Sequence, residues 1–213
     1  GFAVNRYAEP EEWLRVVGGL GLRAVQLTAD LLNPDLPGAV LAAQVRRIDA
    51  AAAAAGTRIT STFTGGFTRV NHLAHPDPEV RRHWIGWFER FAALSADLGA
   101  TSMGSHFGIF TRRDDRDPDR RALRRTQNIA GWHEVAAAAK DRGLAFLSWE
   151  PMSISREQGE TIEAARALHA DVNAGSPLPF RLCLDVDHGD LASPDPADTD
   201  PHAWLRAFAA DAA

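Results

Sequence analysis

Short β-type runs alternate along this chain with longer stretches of helical periodicity, and that alternation constrains the fold more than any other feature. The β-type runs are residues 2–5, 24–28, 59–63, 101–107, 144–149 and 180–184. Between them, apolar residues recur at helical spacing: Trp13, Val16, Val17 and Leu20; Val40, Leu41, Val45 and Ile48; Val80, Trp84, Trp87, Phe88, Phe91 and Leu94; Ile129, Trp132, Val135 and Ala139. Prolines sit where helices should open (Pro10, Pro37, Pro78, Pro201), and glycines where they should stop (Gly56, Gly99, Gly143). A fifth helix is expected over about 158–172 and a sixth from Asp200 and Pro201. The mixed-charge segment 112–125 reads as a solvated loop and helix start.

Strands and helices in strict alternation argue a parallel sheet with right-handed crossovers. A dinucleotide-binding sheet is one solution, but no Gly-x-Gly-x-x-Gly follows the first run. A (β/α)8 TIM barrel is the other, and it takes about eight strands in about 250 residues. Only about six β/α units are legible here, so a barrel reading makes residues 1–213 a single, partial domain with strands seven and eight missing. The opening at Gly1-Phe2 without a Met, and the close at Ala213 inside an Ala-rich helical pattern, are expected to be cuts.

Composition narrows the partners. A formal charge of −5 disfavours a broad grip on a nucleic-acid backbone, although a few arginines suffice for one phosphate. Cys183 is the only cysteine, lies in an apolar run, and reads as a small buried side chain. No apolar run is long enough to span a membrane and nothing resembles a signal peptide, so the cytoplasm is the expected location.

Position carries the functional signal. Asn5 and Arg6, Thr28 and Asp30, Ser105 and His106, Glu150, and Asp185 and His188 all fall at the ends of β-type runs. In a barrel those ends converge on one face, where active sites are built. Glu150 and Asp185 each close an apolar strand, and two hard oxygen donors from neighbouring strands suit a divalent ion such as Mg²⁺ or Mn²⁺. His188 and His106 are candidates either to join that ion or to hydrogen-bond a substrate. His72 and His75 lie in a polar loop, where a surface role competes with a site role. His83, His133, His169 and His202 fall on helices and read as surface or packing residues.

The run Glu150-Pro151-Met152-Ser153-Ile154-Ser155-Arg156-Glu157 resembles the xylose-isomerase-like superfamily of sugar isomerases and epimerases. The resemblance extends to Leu182-Cys183-Leu184-Asp185-Val186-Asp187-His188-Gly189-Asp190, Phe2-Ala3-Val4-Asn5-Arg6, Phe63-Thr64-Gly65-Gly66, Asn71-His72-Leu73-Ala74-His75-Pro76 and Met103-Gly104-Ser105-His106-Phe107-Gly108. Within it, the erythrulose-phosphate epimerases are most similar. The resemblance implies a divalent cofactor (Mn²⁺, Mg²⁺ or Co²⁺) held by Glu, Asp, His and Glu from strands five to eight. Glu150 and Asp185 match the first two, and Glu150 would double as acid/base. The remaining His and Glu would come from the two missing strands. His188, Glu157 and Arg156 match substrate-contacting positions, with His106, Asn5, Arg6 and His72 as further candidates. Arg6, Arg69, Arg112 and Arg156 are candidates to hold a phosphate. Asp187 stands where relatives usually carry Gly.

The implied reaction is proton transfer on a small ketose or ketose phosphate, tetrulose phosphate favoured, through a cis-enediolate. The expected partner is a small sugar or sugar phosphate, with no nucleic acid, no membrane, and a homodimer by resemblance. Three other readings stay open: a zinc-dependent abasic-site endonuclease of the same fold, a hydroxypyruvate-type aldose–ketose isomerase, and an inactive fragment lacking half its metal site. The endonuclease would need a His at the end of the third run, and residues 59–67 contain none.

Overall fold

The structure is a computed structural model that describes residues 6–69 and 72–213. Among the described residues, five parallel strands form one sheet: β1 (Ala24–Thr28), β2 (Arg58–Phe63), β3 (Ser102–His106), β4 (Phe146–Glu150) and β5 (Phe180–Leu182). Seven α-helices accompany them among the same residues: α1 (Pro10–Gly19), α2 (Gly38–Ala55), α3 (Pro78–Asp97), α4 (Arg112–Arg116), α5 (Pro118–Asp141), α6 (Ile162–Asn173) and α7 (Pro201–Phe208). The run expected at residues 2–5 lies outside the described residues.

Strand order decides between the two sheets that the alternation allows. Here it is β1-β2-β3-β4-β5, each strand beside its predecessor and parallel to it. A doubly wound sheet reverses its order at a switch point, whereas a barrel wall adds strands in sequence order. The progression continues past β5, because α7 returns the chain to its outer edge and Ala212 bridges Leu182 in parallel. The Leu182 amide donates to the Asp211 carbonyl at 2.8 Å, and the Ala213 amide donates to the Leu182 carbonyl at 2.9 Å.

Local chemistry accounts for the helix limits. Asp77, Asp117 and Asp200 cap α3, α5 and α7 by accepting backbone N–H bonds, and a proline follows each at the first helical position. Gly56 closes α2 at φ 65°, which a glycine adopts without a Cβ penalty. The core lies between helices and sheet. The aromatic stripe of α3 (Trp84, Trp87, Phe88, Phe91) is buried there with Trp132 of α5, Phe107 and Trp149, as its spacing predicts.

Three local expectations are corrected. Helix α6 starts at Ile162 and not near 158, because Gln158 (φ 69°) and Gly159 (φ 78°) are left-handed and Thr161 supplies the cap. The sixth β-type run is a strand only as far as Leu182; the Cys183 amide still donates to the Trp149 carbonyl at 2.9 Å, and Leu184 and Asp185 bend over the sheet end. The charged segment 112–125 is not uniformly solvated. Asp114 is fully buried, holding Arg120 Nη2 at 2.6 Å and accepting from Thr111 Oγ1 at 2.8 Å, with Arg124 Nε at 3.5 Å. A buried carboxylate is tolerable only with such partners.

Candidate active site

Inward-facing positions are set by the two-residue period of each strand. Gln26 and Thr28 of β1, Phe63 of β2, His106 of β3 and Glu150 of β4 therefore line one cavity at the C-terminal ends of the strands. Asp30, Thr64, Gly65, Gly66, Cys183, Leu184, Asp185 and Val186 complete it, enclosing about 520 Å³. A second cavity of about 500 Å³ lies on the outer surface between α2 and α3; it is lined largely by aliphatic residues and gathers no reactive cluster.

Two glycines shape the inner cavity. A Cβ on Gly104 would stand 2.3 Å from Ser148 Oγ and 2.5 Å from Phe63 Cδ2, so β3 fits between β2 and β4 there only because residue 104 is bare. A Cβ on Gly65 would meet Asp30 Oδ1 at 1.7 Å, and its absence lets the Asp30 carboxylate lie against the loop.

Glu150 is the centre of the site. Its residue is 9 % exposed. One carboxylate oxygen, Oε2, lies 3.4 Å from His106 Nε2, and the other, Oε1, lies 3.4 Å from His188 Nδ1. Burial pushes the Glu150 carboxyl above the usual carboxylate range, His188 opposes that shift, and the nearby Asp185 adds to it. Burial also lowers His106 to about 4, with the Arg69 charge acting in the same direction. The Cys183 thiol is pushed up to about 11 by burial and then by Glu150 and Asp185; the residue is half-buried and lines the cavity, which corrects the expectation of a buried side chain.

Glu150, Asp185 and His188 each offer a donor atom, and the three atoms lie within 4.8 Å of one another. The donor set is two carboxylates and an imidazole, hard to borderline ligands that suit Mg²⁺, Mn²⁺ or Co²⁺. His188 Nδ1 is buried and makes no hydrogen bond among the described residues. A buried ring nitrogen left without a partner is costly, and a cation beside Glu150 would satisfy its lone pair. The 3.4 Å between Glu150 Oε1 and His188 Nδ1 is also compatible with two donors each about 2.1 Å from one ion.

The remaining sequence candidates divide. Glu157 is buried and is held by Arg69, whose Nε donates at 3.0 Å and Nη2 at 2.6 Å. Arg156 turns instead to the backbone: its Nε donates to the Phe110 carbonyl at 2.9 Å, while its own carbonyl accepts from the Phe110 amide at 2.8 Å. That places Arg156 as a tie between the loops after β3 and β4. Arg6 is exposed, and Asn5 lies outside the described residues.

The surface alternative for His72 is overturned. The residue is 1 % exposed, packed against Phe88 and Trp132, and does not line the cavity. It accepts from the Leu73 amide through Nδ1 at 2.8 Å and approaches Ser105 Oγ at 3.4 Å through Nε2. A loop rich in polar residues conceals this, because the turn 72–75 folds inward under β3. Gln26 was missed as a cavity residue, although its two-residue spacing from Thr28 was a usable signal. The Arg69–Glu157 pair left no signal, since it joins loops distant in sequence.

A family model described as the xylose isomerase-like TIM barrel matches residues 14–210. The chain belongs to that family. In a xylose isomerase-like barrel, strands β1 to β5 are consecutive staves, and the cavity occupies the functional face. A curated relative, the D-erythrulose 1-phosphate 3-epimerase of Brucella abortus (strain 2308), is 42 % identical over 205 residues. The match covers 95 % of this chain and 66 % of the relative, so the chain spans just under two thirds of that protein's length. A solved structure from Rhodospirillum rubrum ATCC 11170, provisionally assigned as a xylose isomerase, is 29 % identical with a TM-score of 0.88, covering 100 % of this chain and 72 % of that one. A xylose isomerase-like TIM barrel protein from Mycobacterium smegmatis, solved in complex with magnesium, shares the fold at 21 % identity and a TM-score of 0.61, covering 95 % of this chain and 63 % of that one.

Proposed function

We propose that the full-length protein is a divalent-metal-dependent epimerase of a small ketose phosphate, with a tetrulose phosphate such as D-erythrulose 1-phosphate as substrate. The observation that carries this reading is the convergence of Glu150, Asp185 and His188 in one cavity at the C-terminal ends of the strands. The similarity to the Brucella abortus epimerase supports the substrate class, and the magnesium complex of a family member supports the cofactor class. Phe63 closes β2 where a zinc endonuclease of this fold would need a histidine, and its ring meets His106 edge-on at 5.7 Å between centroids.

Glu150, Asp185 and His188 would hold the ion. When bound, it would polarise the ketose carbonyl and make the adjacent C–H more acidic. Glu150 would act on that proton as well as serving as a ligand, since burial raises its carboxyl above the usual carboxylate range and makes it a stronger base. His106, kept neutral by burial, can exchange hydrogen bonds with the substrate's hydroxyl oxygens. The apolar wall of Phe63 and Leu184 limits water at the reacting carbon. The resemblance implies a further His and a second Glu from two more strands.

The reading makes the partner a small molecule, with neither nucleic acid nor membrane engaged, and expects a cytoplasmic homodimer. Among the described residues no helix is long and apolar enough to cross a membrane. The test is incubation of the full-length protein with D-erythrulose 1-phosphate in D₂O, followed by NMR. Deuterium entering at C3 together with the epimer is expected, lost with EDTA and restored by Mn²⁺, Mg²⁺ or Co²⁺. With free D-erythrulose, whose C1 hydroxyl carries no phosphate, exchange at C1 with an aldose product would make it an aldose–ketose isomerase, and no metal-dependent exchange on either ketose would sink the proposal.

A further inference from the structure

The ion pair beside the cavity has a direction. Arg69 grips Glu157 at two points, Nε to Oε1 and Nη2 to Oε2, the fit of a planar guanidinium to a carboxylate. The pair ties the turn after β2 to the turn after β4. The Glu157 side chain is only 9 % exposed against 45 % for Arg69, so the arginine reaches inward to serve a buried acid. Both charges are felt in the cavity: Arg69 acts on Glu150 and His106, and Glu157 acts on His106 in the opposite sense. Arg69 was one of four arginines that the sequence offered for a substrate phosphate. Both of its donor groups on the Glu157 side are already taken, so seating a phosphate there would compete with a short, partly buried carboxylate contact.

Resting on the reading of the cavity given above, we infer that Arg69 is a positioning residue: it fixes the Glu157 carboxylate beside the cavity and its charge restrains cation affinity at Glu150, and it is not the phosphate anchor. The repulsion between a guanidinium and a divalent ion follows from Coulomb attenuation at a half-buried site. Taking Arg69 away removes that repulsion and also exposes the negative charge of Glu157 to the ion.

The experiment measures Mn²⁺ affinity of the full-length protein by electron paramagnetic resonance in Arg69→Gln, Arg69→Lys, Glu157→Gln and the Arg69→Gln/Glu157→Gln double variant. Arg69→Gln should bind Mn²⁺ about tenfold more tightly and Glu157→Gln more weakly, with Arg69→Lys and the double variant returning towards the parent. In turnover, Arg69→Gln should lower kcat about tenfold with KM for D-erythrulose 1-phosphate and inhibition by inorganic phosphate little changed. Arg69→Lys should recover part of the loss. An unchanged Mn²⁺ affinity in Arg69→Gln overturns the inference, as does a loss confined to KM with phosphate inhibition abolished. If Arg69→Gln does not fold, Glu157→Gln decides by the sign of its Mn²⁺ shift. A parent protein that binds Mn²⁺ but does not turn over the ketose defeats the proposed function, while the Mn²⁺ series still decides the role of Arg69.

Discussion

Glu150 Oε1 and His188 Nδ1 stand 3.4 Å apart, although one residue ends β4 and the other lies in the loop beyond β5. The contact depends on the chain leaving the sheet after Cys183: the four-residue turn 185–188 brings His188 back, with its amide on the Asp185 carbonyl at 3.3 Å. The imidazole and the carboxylate thereby face the same small volume as Asp185, and the consequences for ligand binding are direct.

Glu150→Gln and Asp185→Asn should each weaken Mn²⁺ binding by at least about tenfold, and Glu150→Gln should also cut turnover by about 10²- to 10⁴-fold because it removes the proton-transferring group. Calorimetric Mn²⁺ titration and steady-state kinetics on the full-length protein check both. Equal Mn²⁺ affinity in parent and variants would show that the carboxylates do not share an ion.

Metal should also stabilise the fold. Saturating the protein to 100 times Kd is expected to add about 2.7 kcal/mol to unfolding, because the separated ligands of the unfolded chain bind weakly. Thermal melts with EDTA and with added Mn²⁺ should therefore differ by several degrees, and Asp185→Asn should shrink that difference.

His72 should make the fold acid-sensitive. Its ring is held neutral, lowered to about 3 chiefly by burial. Protonating Nδ1 would set an N–H against the Leu73 N–H that now donates to it. The unfolded chain binds that proton near pH 6.5 and the folded one near 3, so the stabilisation is complete above about 6.5 and declines as pH falls towards 3. The slope from this one group is at most about 1.4 kcal/mol per pH unit. Urea midpoints between pH 7 and 4 should fall less steeply for His72→Asn than for the parent, even though the variant starts less stable. Parallel curves would refute the assignment.

Gly65 and Gly104 should respond differently to alanine. At 104 the obstructing atoms are the buried Ser148 Oγ and the near edge of the half-buried Phe63 ring, neither of them the far end of a flexible side chain, so Gly104→Ala is expected to cost about 1–3 kcal/mol in denaturant unfolding. At 65 the obstruction is the end of the exposed Asp30 side chain, which can rotate away. Gly65→Ala should leave the urea midpoint nearly unchanged and alter KM through the displaced cavity wall.

Asp114→Ala should destabilise by about 3 kcal/mol, since Arg120 and Arg124 lose the buried carboxylate that compensates them. Asp114→Asn, which retains the Thr111 contact, should cost less. Denaturant unfolding of the two variants separates charge from hydrogen bonding.

Much of the architecture was legible without coordinates. β1 matches its expected limits, and β2, β3, β4 and β5 overlap theirs, because β-type runs bounded by Gly and Pro specify a strand locally. The same reading of apolar runs placed Glu150 and Asp185 at strand ends; Glu150 ends β4, and Asp185 lies three residues past β5. Helix α6 defied it: Gln158 carries a side chain at φ 69°, a conformation that residue type does not announce and that the surrounding turn imposes.

The sequence by itself determined which segments are strands, which are helices, and that carboxylates and imidazoles gather at one end of the sheet, since each of these follows from a repeat of two or 3.6 residues and from local caps. Tertiary structure alone decided that the strands run in consecutive order, that His72 and Asp114 are buried, that His188 meets Glu150, and that Arg69 is occupied by Glu157. Those outcomes depend on where loops carry side chains relative to residues far along the chain, and no local periodicity encodes a distance between two loops.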